Sequence, residues 1–134
     1  MSIRIFVYGT LLRGLCRHDA LKTARFLGPA HTRGQLFNLG SYPGLKTGQG
    51  KVHGEVYEVD PLTLSRLDRI EDYDPKHPAH SLYLRVPREV TLQDGRRLQA
   101  HTYLYNRPTR PADRIPHGDY RAHCLPAAGS GQDP

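Results

Sequence analysis

Four carboxylates cluster near the end of one amphipathic segment, in the sequence RLDRIEDYDP at residues 66–75. The apolar spacing of this segment predicts a helix, which brings Asp68 and Glu71, three residues apart, onto similar faces. Carboxylates are disfavoured at the negative C-terminal end of a helix dipole. A carboxylate held near like charges or away from water acquires a raised pKa, which suits proton transfer. The segment therefore indicates a general acid and base, with a solvated acidic helix end as the structural alternative.

A second segment that could take part in a reaction is FVYGTLLRG at residues 6–14, in which an apolar run ends in Tyr8-Gly9-Thr10-Leu11. Gly9 permits a positive φ and a close approach of a ligand to the backbone. Successive N–H groups in such a turn form a concavity that suits a carboxylate. The structural alternative is a plain strand-ending turn, and from the residues alone that alternative is the better explanation.

The remaining chemistry-bearing residues form no recognisable site. His77 and His80 fall in a proline-containing loop, and Cys16 and Cys124 are far apart in the sequence and lack zinc-ligand spacing. We therefore expect no metal ion. No pattern of a nucleophile elbow, a P-loop or a dinucleotide fingerprint is present either.

The composition is that of one small domain. The chain has 134 residues and a net charge of +6, from 19 Lys and Arg against 13 Asp and Glu. It has no apolar stretch of the ~18 residues that a membrane span needs and no secretory leader pattern, so we expect a cytoplasmic protein without a membrane partner. The basic residues are scattered, which favours a solvated surface or an anionic small-molecule substrate over a nucleic-acid partner.

The alternation of apolar and polar residues predicts the elements that position these segments. A turn is expected at 41–45, and a helix should begin at Asp60 or Pro61 and bury Leu62, Leu64, Leu67 and Ile70. We expect strands at 3–8, 26–39, 51–59, 81–92 and 97–105 and a short helix at 17–26.

This order predicts an α+β fold with a mostly antiparallel sheet, open or closed into a small β-barrel with flanking short helices. We predict that residues 1–125 form one domain. The composition of residues 126–134, PAAGSGQDP, predicts a disordered tail.

Taken in order, several segments resemble the gamma-glutamylcyclotransferase-like family. The resemblance covers residues 3 to about 120 and is closer to the gamma-glutamylamine cyclotransferase and small bacterial branch than to the glutathione-specific branch. The matching segments are FVYGTLLRG, YPGL, VHGEVYEV, LDRIEDY, LYLR, YLYNRP and IPHGDY.

The resemblance implies a β-barrel enzyme, independent of cofactors, that releases 5-oxoproline from a small gamma-glutamyl substrate. Glu71 would be the acid and base, and the glutamyl part would sit on Tyr8, Gly9, Thr10 and Leu11. Tyr83 and Tyr105 match aromatic positions that line the family's pocket. Neither the leaving amine nor the oligomeric state follows from the sequence.

Two neighbours of Glu71 need separate interpretation. Asp68 is interpreted as a structural cap or hydrogen-bond partner. Asp72 stands where related enzymes have glycine or another small residue, so it adds a negative charge beside Glu71.

Two other functions stay open. One is a binding protein of the same fold, without turnover, for a carboxylate-bearing metabolite. The other is an accessory enzyme that removes a gamma-glutamyl protecting group in a biosynthetic pathway.

Overall fold

The computed structural model describes residues 3–124 of the chain. The tail predicted to be disordered, residues 126–134, lies outside the described residues. Between residues 3 and 124, no helix combines the length and apolar character needed to cross a membrane. Cys16 and Cys124 are both exposed free thiols.

Six strands form one sheet, and five of them close into a barrel in the order β1-β3-β2-β4-β5. Neighbouring strands are antiparallel except where β5 meets β1 and, at a single bridge, β3. The predicted α+β fold with a mostly antiparallel β-barrel is therefore confirmed. The strands are β1 Ile3–Val7, β2 Arg25–Asn38, β3 Pro43–Val59, β4 Tyr83–Leu92, β5 Arg97–Tyr105 and the short β6 Arg114–Ile115, which pairs with β2.

Strand β1 lies between two partners, antiparallel β3 and parallel β5. A strand that is paired on both edges and buried on both faces has a continuous apolar sequence, which explains the buried run Ile5-Phe6-Val7, while Arg4 near the start of the strand is exposed. Ile5 and Phe6 are fully buried. Because β1 ends at Val7, it delivers the following Tyr8-to-Leu11 loop to the rim of the barrel.

The longest strand pairing is the β2–β3 hairpin. The predicted start of its second strand, at residue 51, was wrong. Strand β3 begins at Pro43, eight residues before the expected start, and Asn38 pairs directly with Pro43. The extra part contains Gly48 and Gly50, both at positive φ, and the register shifts between Arg33 and Gln35. Glycines and bulges let a polar, irregular segment keep pairing with its neighbour.

Helix α1, Pro61–Ile70, begins as predicted, because the Asp60 side chain accepts a hydrogen bond from the Thr63 N–H at 2.7 Å. Leu67 is fully buried, but Leu62 is 61% exposed and does not belong to the buried face.

The other helical segments are short. The helix predicted at 17–26 is a single 3-10 turn, His18–Leu21, because Phe26 belongs to β2, where it pairs with Tyr57. Further 3-10 turns lie at Pro78–His80 and Pro111–Asp113, and helix α2, Tyr120–Cys124, follows β6.

Candidate active site

A cavity of about 240 Å³ opens where β1 ends, and it brings together the two segments that carried the sequence prediction. The loop Tyr8-Gly9-Thr10-Leu11 forms one side, and Glu71 faces it from the end of α1. The other lining residues are Phe6, Val7, Arg17, Tyr42, Pro43, Ile70, Leu82, Tyr83 and Tyr103.

The Gly9 position needs a glycine for close packing and not for a positive φ, contrary to the sequence expectation. A Cβ at this residue would lie 2.7 Å from Cγ of Pro43, a cavity-lining residue. Among residues 3–124, the N–H groups of Gly9, Thr10 and Leu11 donate no hydrogen bond. These donors are available to a carboxylate or a polarised carbonyl.

The carbonyl groups of Gly9, Thr10 and Leu11 are engaged, which fixes the shape of the loop. The Gly9 oxygen accepts from the Leu12 N–H at 2.9 Å, and the Thr10 oxygen accepts from the Arg17 N–H at 2.8 Å. The Leu11 oxygen lies 2.9 Å from Nδ1 of the His18 ring. A loop held in this way presents its N–H groups without further ordering.

The Tyr8 hydroxyl is held on both sides inside the barrel. It donates to the Tyr103 carbonyl at 2.6 Å and accepts from the Leu45 N–H at 3.2 Å. Burial, and then the nearby Glu71 carboxylate, raise the pKa of Tyr8 well above its ordinary value. The Tyr8 hydroxyl is therefore uncharged, and the residue forms part of the cavity wall.

Glu71 caps the C-terminal end of α1, where its backbone N–H donates to the Leu67 carbonyl at 2.9 Å. Burial raises the pKa of this carboxyl to about 7, against the lowering effect of the Arg17 guanidinium. No hydrogen-bond donor within residues 3–124 stabilises its charge. A carboxyl that is half ionised near neutral pH can both accept and return a proton.

The family follows from comparison with known proteins. A sequence model described as "Gamma-glutamyl cyclotransferase, AIG2-like" matches residues 5–122. The chain belongs to this family.

Individual relatives agree with the assignment. A Vibrio cholerae protein, named as a proposed gamma-glutamylcyclotransferase, is 49% identical over 74 residues, which are 54% of this chain and 64% of that protein. The gamma-L-glutamyl-butirosin B gamma-glutamyl cyclotransferase of Niallia circulans is 39% identical over 105 residues, which are 77% of this chain and 67% of the enzyme. The chain thus spans about two thirds of the length of each relative.

A solved structure extends the agreement to the fold. The crystal structure of a mouse AIG2-like protein superposes with a TM-score of 0.74 at 30% identity, over 89% of this chain and 88% of that one. The barrel described above is thus the fold of the AIG2-like family.

Asp68 ties the end of α1 to the barrel. Its carboxylate accepts from Nε and Nη2 of Arg85 at 2.8 and 3.2 Å and from the Tyr103 hydroxyl at 2.7 Å. Both partners of the ion pair are largely buried. Because Tyr103 also lines the cavity, this network sets the position of Glu71 relative to the cavity wall.

Asp72 turns away from the cavity. It adopts a left-handed conformation with φ of 55°, and its N–H donates to the Arg69 carbonyl at 3.2 Å, which ends the helix. Asp72 lines a separate surface cleft with Asp68 and Asp74. The glycine or small residue that the resemblance leads one to expect here is explained by the backbone, since a left-handed residue after a helix is most easily a glycine.

The two aromatic residues suggested by the resemblance have different positions. Tyr83 lines the cavity and donates its hydroxyl to the Pro43 carbonyl at 2.6 Å. Tyr105 does not line the cavity and packs behind Tyr83, with 5.5 Å between the ring centroids. Its place in the wall is taken by Tyr103, two residues earlier on β5. Alternation along a strand puts both residues on one face, so the sequence indicates the face of β5 but not which of its residues meets the cavity.

Sequence reasoning also missed the residues near the cavity opening. Arg17, Tyr42, Ile70 and Leu82 all line the cavity and are all partly or well exposed. Arg17 is separated from Ile70 by 53 residues, yet its Nη1 donates to the Ile70 carbonyl at 3.2 Å. No local sequence pattern predicts a contact between residues so far apart in the chain.

Part of the positive charge collects at a second, polar cleft, between β2 and β4. It shares no residue with the cavity near Glu71. Four of its lining residues are cations, namely Arg33, Lys51, Arg88 and Arg97. The absence of a nucleic-acid partner stays a prediction.

Proposed function

We propose that the protein is a cyclotransferase that cleaves a gamma-glutamyl amide and releases 5-oxoproline and a free amine. One observation carries the proposal: the Glu71 carboxyl, with its pKa near 7, faces the same small cavity as the unpaired N–H groups of Gly9, Thr10 and Leu11. A proton carrier and a set of donors for an anion or carbonyl are what this reaction needs.

The reaction balances without any further reactant. The α-amine nitrogen attacks the γ-carbonyl carbon, a new C–N bond closes a five-membered lactam, and the C–N bond to the leaving amine breaks. The α-ammonium gives up two protons as it becomes the lactam N–H, and the leaving nitrogen takes up two as it departs as an ammonium. Because the nucleophile is tethered to its target, proximity supplies much of the acceleration.

The residues divide this work. Glu71 accepts the two protons of the α-ammonium one after the other and returns each to the leaving nitrogen. The loop N–H groups hold the α-carboxylate or polarise the γ-carbonyl. Both Tyr8 and Tyr83 already donate their hydroxyl groups to backbone carbonyls, so in this mechanism they shape the cavity and transfer no proton.

The decisive experiment measures 5-oxoproline release from a panel of gamma-glutamyl amides by the wild type and by Glu71→Gln. We expect the variant to fold and to lose activity by about 100-fold or more, the usual contribution of a general acid and base. Glu89→Gln, at an exposed position on β4, is the matched control and should keep its activity. Full activity of Glu71→Gln would remove Glu71 from the mechanism.

The two other functions are separated by the same panel. A binding protein would show ligand-dependent thermal stabilisation with no 5-oxoproline from any compound. An accessory deprotecting enzyme would act on a larger gamma-glutamylated compound; the Niallia circulans relative is named for gamma-L-glutamyl-butirosin B. Small gamma-glutamyl amides would then be poor substrates.

A further inference from the structure

The polar cleft between β2 and β4 has a volume of about 630 Å³ and lies where the barrel closes. The two strands pair at residues 30–31 and 91–92. Next to these pairs the closure is made by a side chain, since Nη2 of Arg88 on β4 donates to the Arg33 carbonyl on β2 at 2.7 Å. The cleft is therefore built on strands that are fixed to one another.

Four cations line this cleft, and each belongs to a different strand. They are Arg33 on β2, Lys51 on β3, Arg88 on β4 and Arg97 on β5. Arg33 and Lys51 lie directly opposite each other in the β2–β3 ladder, an arrangement in which like charges repel and destabilise a sheet. The basic residues that are scattered in the sequence are thus brought together by the barrel.

These four charges have little compensation within the protein. Among residues 3–124, no carboxylate lies within 4.0 Å of any of them, and Glu89 is the only carboxylate that lines the cleft. The pKa of His31, a lining residue, is lowered by burial and then by the charges of Lys51 and His53. Repulsion among grouped cations costs free energy, and a bound anion would remove that cost.

We propose that the cleft between β2 and β4 binds a polyphosphate anion. Three of its four cations are arginines, whose planar guanidinium groups bind phosphate oxygens in pairs. A chain of phosphates carries several adjacent negative charges, so one ligand can meet cations from several strands at once. The volume of the cleft falls within the range of small-molecule sites, about 300–1,000 Å³. The proposal does not depend on the cyclotransferase function, because the cleft shares no residue with the cavity near Glu71.

The lining of the cleft favours a small polyphosphate over a nucleic acid. In the part of the chain that the structure describes, no Phe, Tyr or Trp lines it, so it offers no aromatic ring on which a base could stack. Its cations also converge on one concave place, whereas a nucleic-acid backbone is followed by an extended basic stripe. The recognised group is therefore the phosphate chain itself, whether free or attached to a nucleoside.

The first test titrates the protein with inorganic tripolyphosphate by calorimetry, at neutral pH and low salt and without divalent cations. We expect saturable binding with a Kd below about 100 μM. The double variant Lys51→Gln/Arg97→Gln should weaken binding by about 25-fold, since each exposed ion pair contributes about fivefold. Both side chains are exposed, so the variant should fold. An absence of saturable binding to the wild type, or an unchanged Kd in the double variant, would overturn the proposal.

A matched control separates this cleft from the net charge of the protein. Arg4→Gln/Lys22→Gln removes the same two charges from exposed positions outside the cleft, and its Kd should stay within about twofold of the wild type, because separated surface charges are screened by salt. Equal losses in the two double variants would mean that tripolyphosphate responds to overall charge alone, and the proposed site would then be wrong.

Two further ligands identify the source of the phosphate chain. Equal affinities for ATP and tripolyphosphate would show that the phosphate chain alone is recognised, and tighter binding of ATP would show a nucleoside polyphosphate; both results support the proposal. Tighter binding of a short DNA duplex than of tripolyphosphate would overturn it in favour of a nucleic-acid surface.

A last measurement locates the bound anion in the wild-type protein. The protein has a second group of donors for an anion, the N–H groups of the loop that contains Gly9 and Thr10. Amide NMR spectra recorded during the tripolyphosphate titration should show shifts at Thr91 and Gln99, which line the cleft, with the same Kd as the calorimetry. Shifts confined to Gly9 and Thr10 would place the anion in the cavity near Glu71 and overturn the proposal.

Discussion

Two glutamates face the loop that follows β1, and their surroundings differ. Glu55 on β3 accepts hydrogen bonds from the Arg13 N–H at 3.0 Å, the Tyr57 hydroxyl at 3.0 Å and Arg121 Nη2 at 2.8 Å. Burial raises its pKa, but these donors outweigh burial and lower the pKa below its ordinary value. Glu71 has burial without such donors, so its pKa rises to about 7.

The comparison shows that the number of hydrogen-bond donors around a buried carboxylate, and not its residue type, decides whether its pKa falls or rises. Glu55 stays ionised and holds the loop from outside, together with Arg121, which donates to the Arg13 carbonyl at 2.7 Å. Glu71 exchanges its proton near neutral pH and faces the loop from the cavity. The proposed mechanism needs a rigid loop and a proton carrier at this site, and in it the two glutamates provide them separately.

The largest expected effect on stability comes from Glu71. Its folded pKa of about 7 lies above the ordinary value of 4.5, so the folded protein holds this proton more tightly than the unfolded chain. The stabilisation is complete below about pH 4.5 and is lost as pH rises through 7, by up to about 3 kcal/mol. Glu71→Gln imitates the protonated form and should unfold at higher urea concentration than the wild type at pH 8, with no difference at pH 4.5.

The titratable groups that face Glu71 do not contribute to the pH dependence of this stability difference. The pKa of Tyr8, Tyr83 and Tyr103 is raised above its ordinary value, mainly by burial. Subtracting the wild-type curve removes every other titration. A difference between variant and wild type that does not change from pH 4.5 to 8 would contradict the raised pKa of Glu71.

Glu55→Gln should act in the opposite direction. The variant keeps the size of the side chain but loses the charge that pairs with Arg121, so we expect a loss of about 2 kcal/mol at pH 7. Because the folded pKa of Glu55 is lowered, its contribution is present above its unfolded pKa and is lost as pH falls through the folded value. Urea unfolding at pH 7 measures the loss. Wild-type stability of this variant at pH 7 would show that Glu55 does not hold the loop.

Parts of this arrangement could be predicted from the sequence because they are local. The cap at Asp60 fixes where α1 begins, the apolar spacing extends the helix toward Glu71, and the end of β1 fixes the start of the loop. The start of β3 at Pro43 was missed because pairing with β2 overrides local turn signals. The position of Arg17 at the cavity was missed because its partner, the Ile70 carbonyl, is distant in sequence. That partner is a backbone group, which every residue type carries, so no sequence pattern marks it.

Tyr103 and Tyr105 show a finer limit of the same kind. The resemblance led to the right face of β5 but to Tyr105, which packs behind Tyr83, while Tyr103 reaches the cavity and Asp68. Alternation identifies a face of a strand. Which residue of that face meets the cavity depends on how the barrel closes, and that closure is a long-range property of five strands.

The smallest expected effect concerns Asp72, the residue beside Glu71 whose charge the sequence left unexplained. Its φ of 55° is unfavourable for a residue with a Cβ, so Asp72→Gly should stabilise the protein by about 0.5 kcal/mol in urea unfolding. Asp72→Ala removes the same charge but keeps the strained backbone, and we expect it to be less stable than Asp72→Gly by about 1 kcal/mol. Equal stabilities of these two variants would contradict the backbone explanation.

Activity completes the argument about Asp72. Its side chain lines a different cleft, and the pKa of Glu71 is set by burial and by Arg17. The acid limb of the pH profile for 5-oxoproline release should therefore keep its midpoint near 7 in Asp72→Gly. A midpoint that falls by one unit would mean that the Asp72 charge acts on Glu71 through the protein. The residue next to the proton carrier would then tune it, and the contrast with Glu55 would depend on neighbouring charge as well as on hydrogen-bond donors.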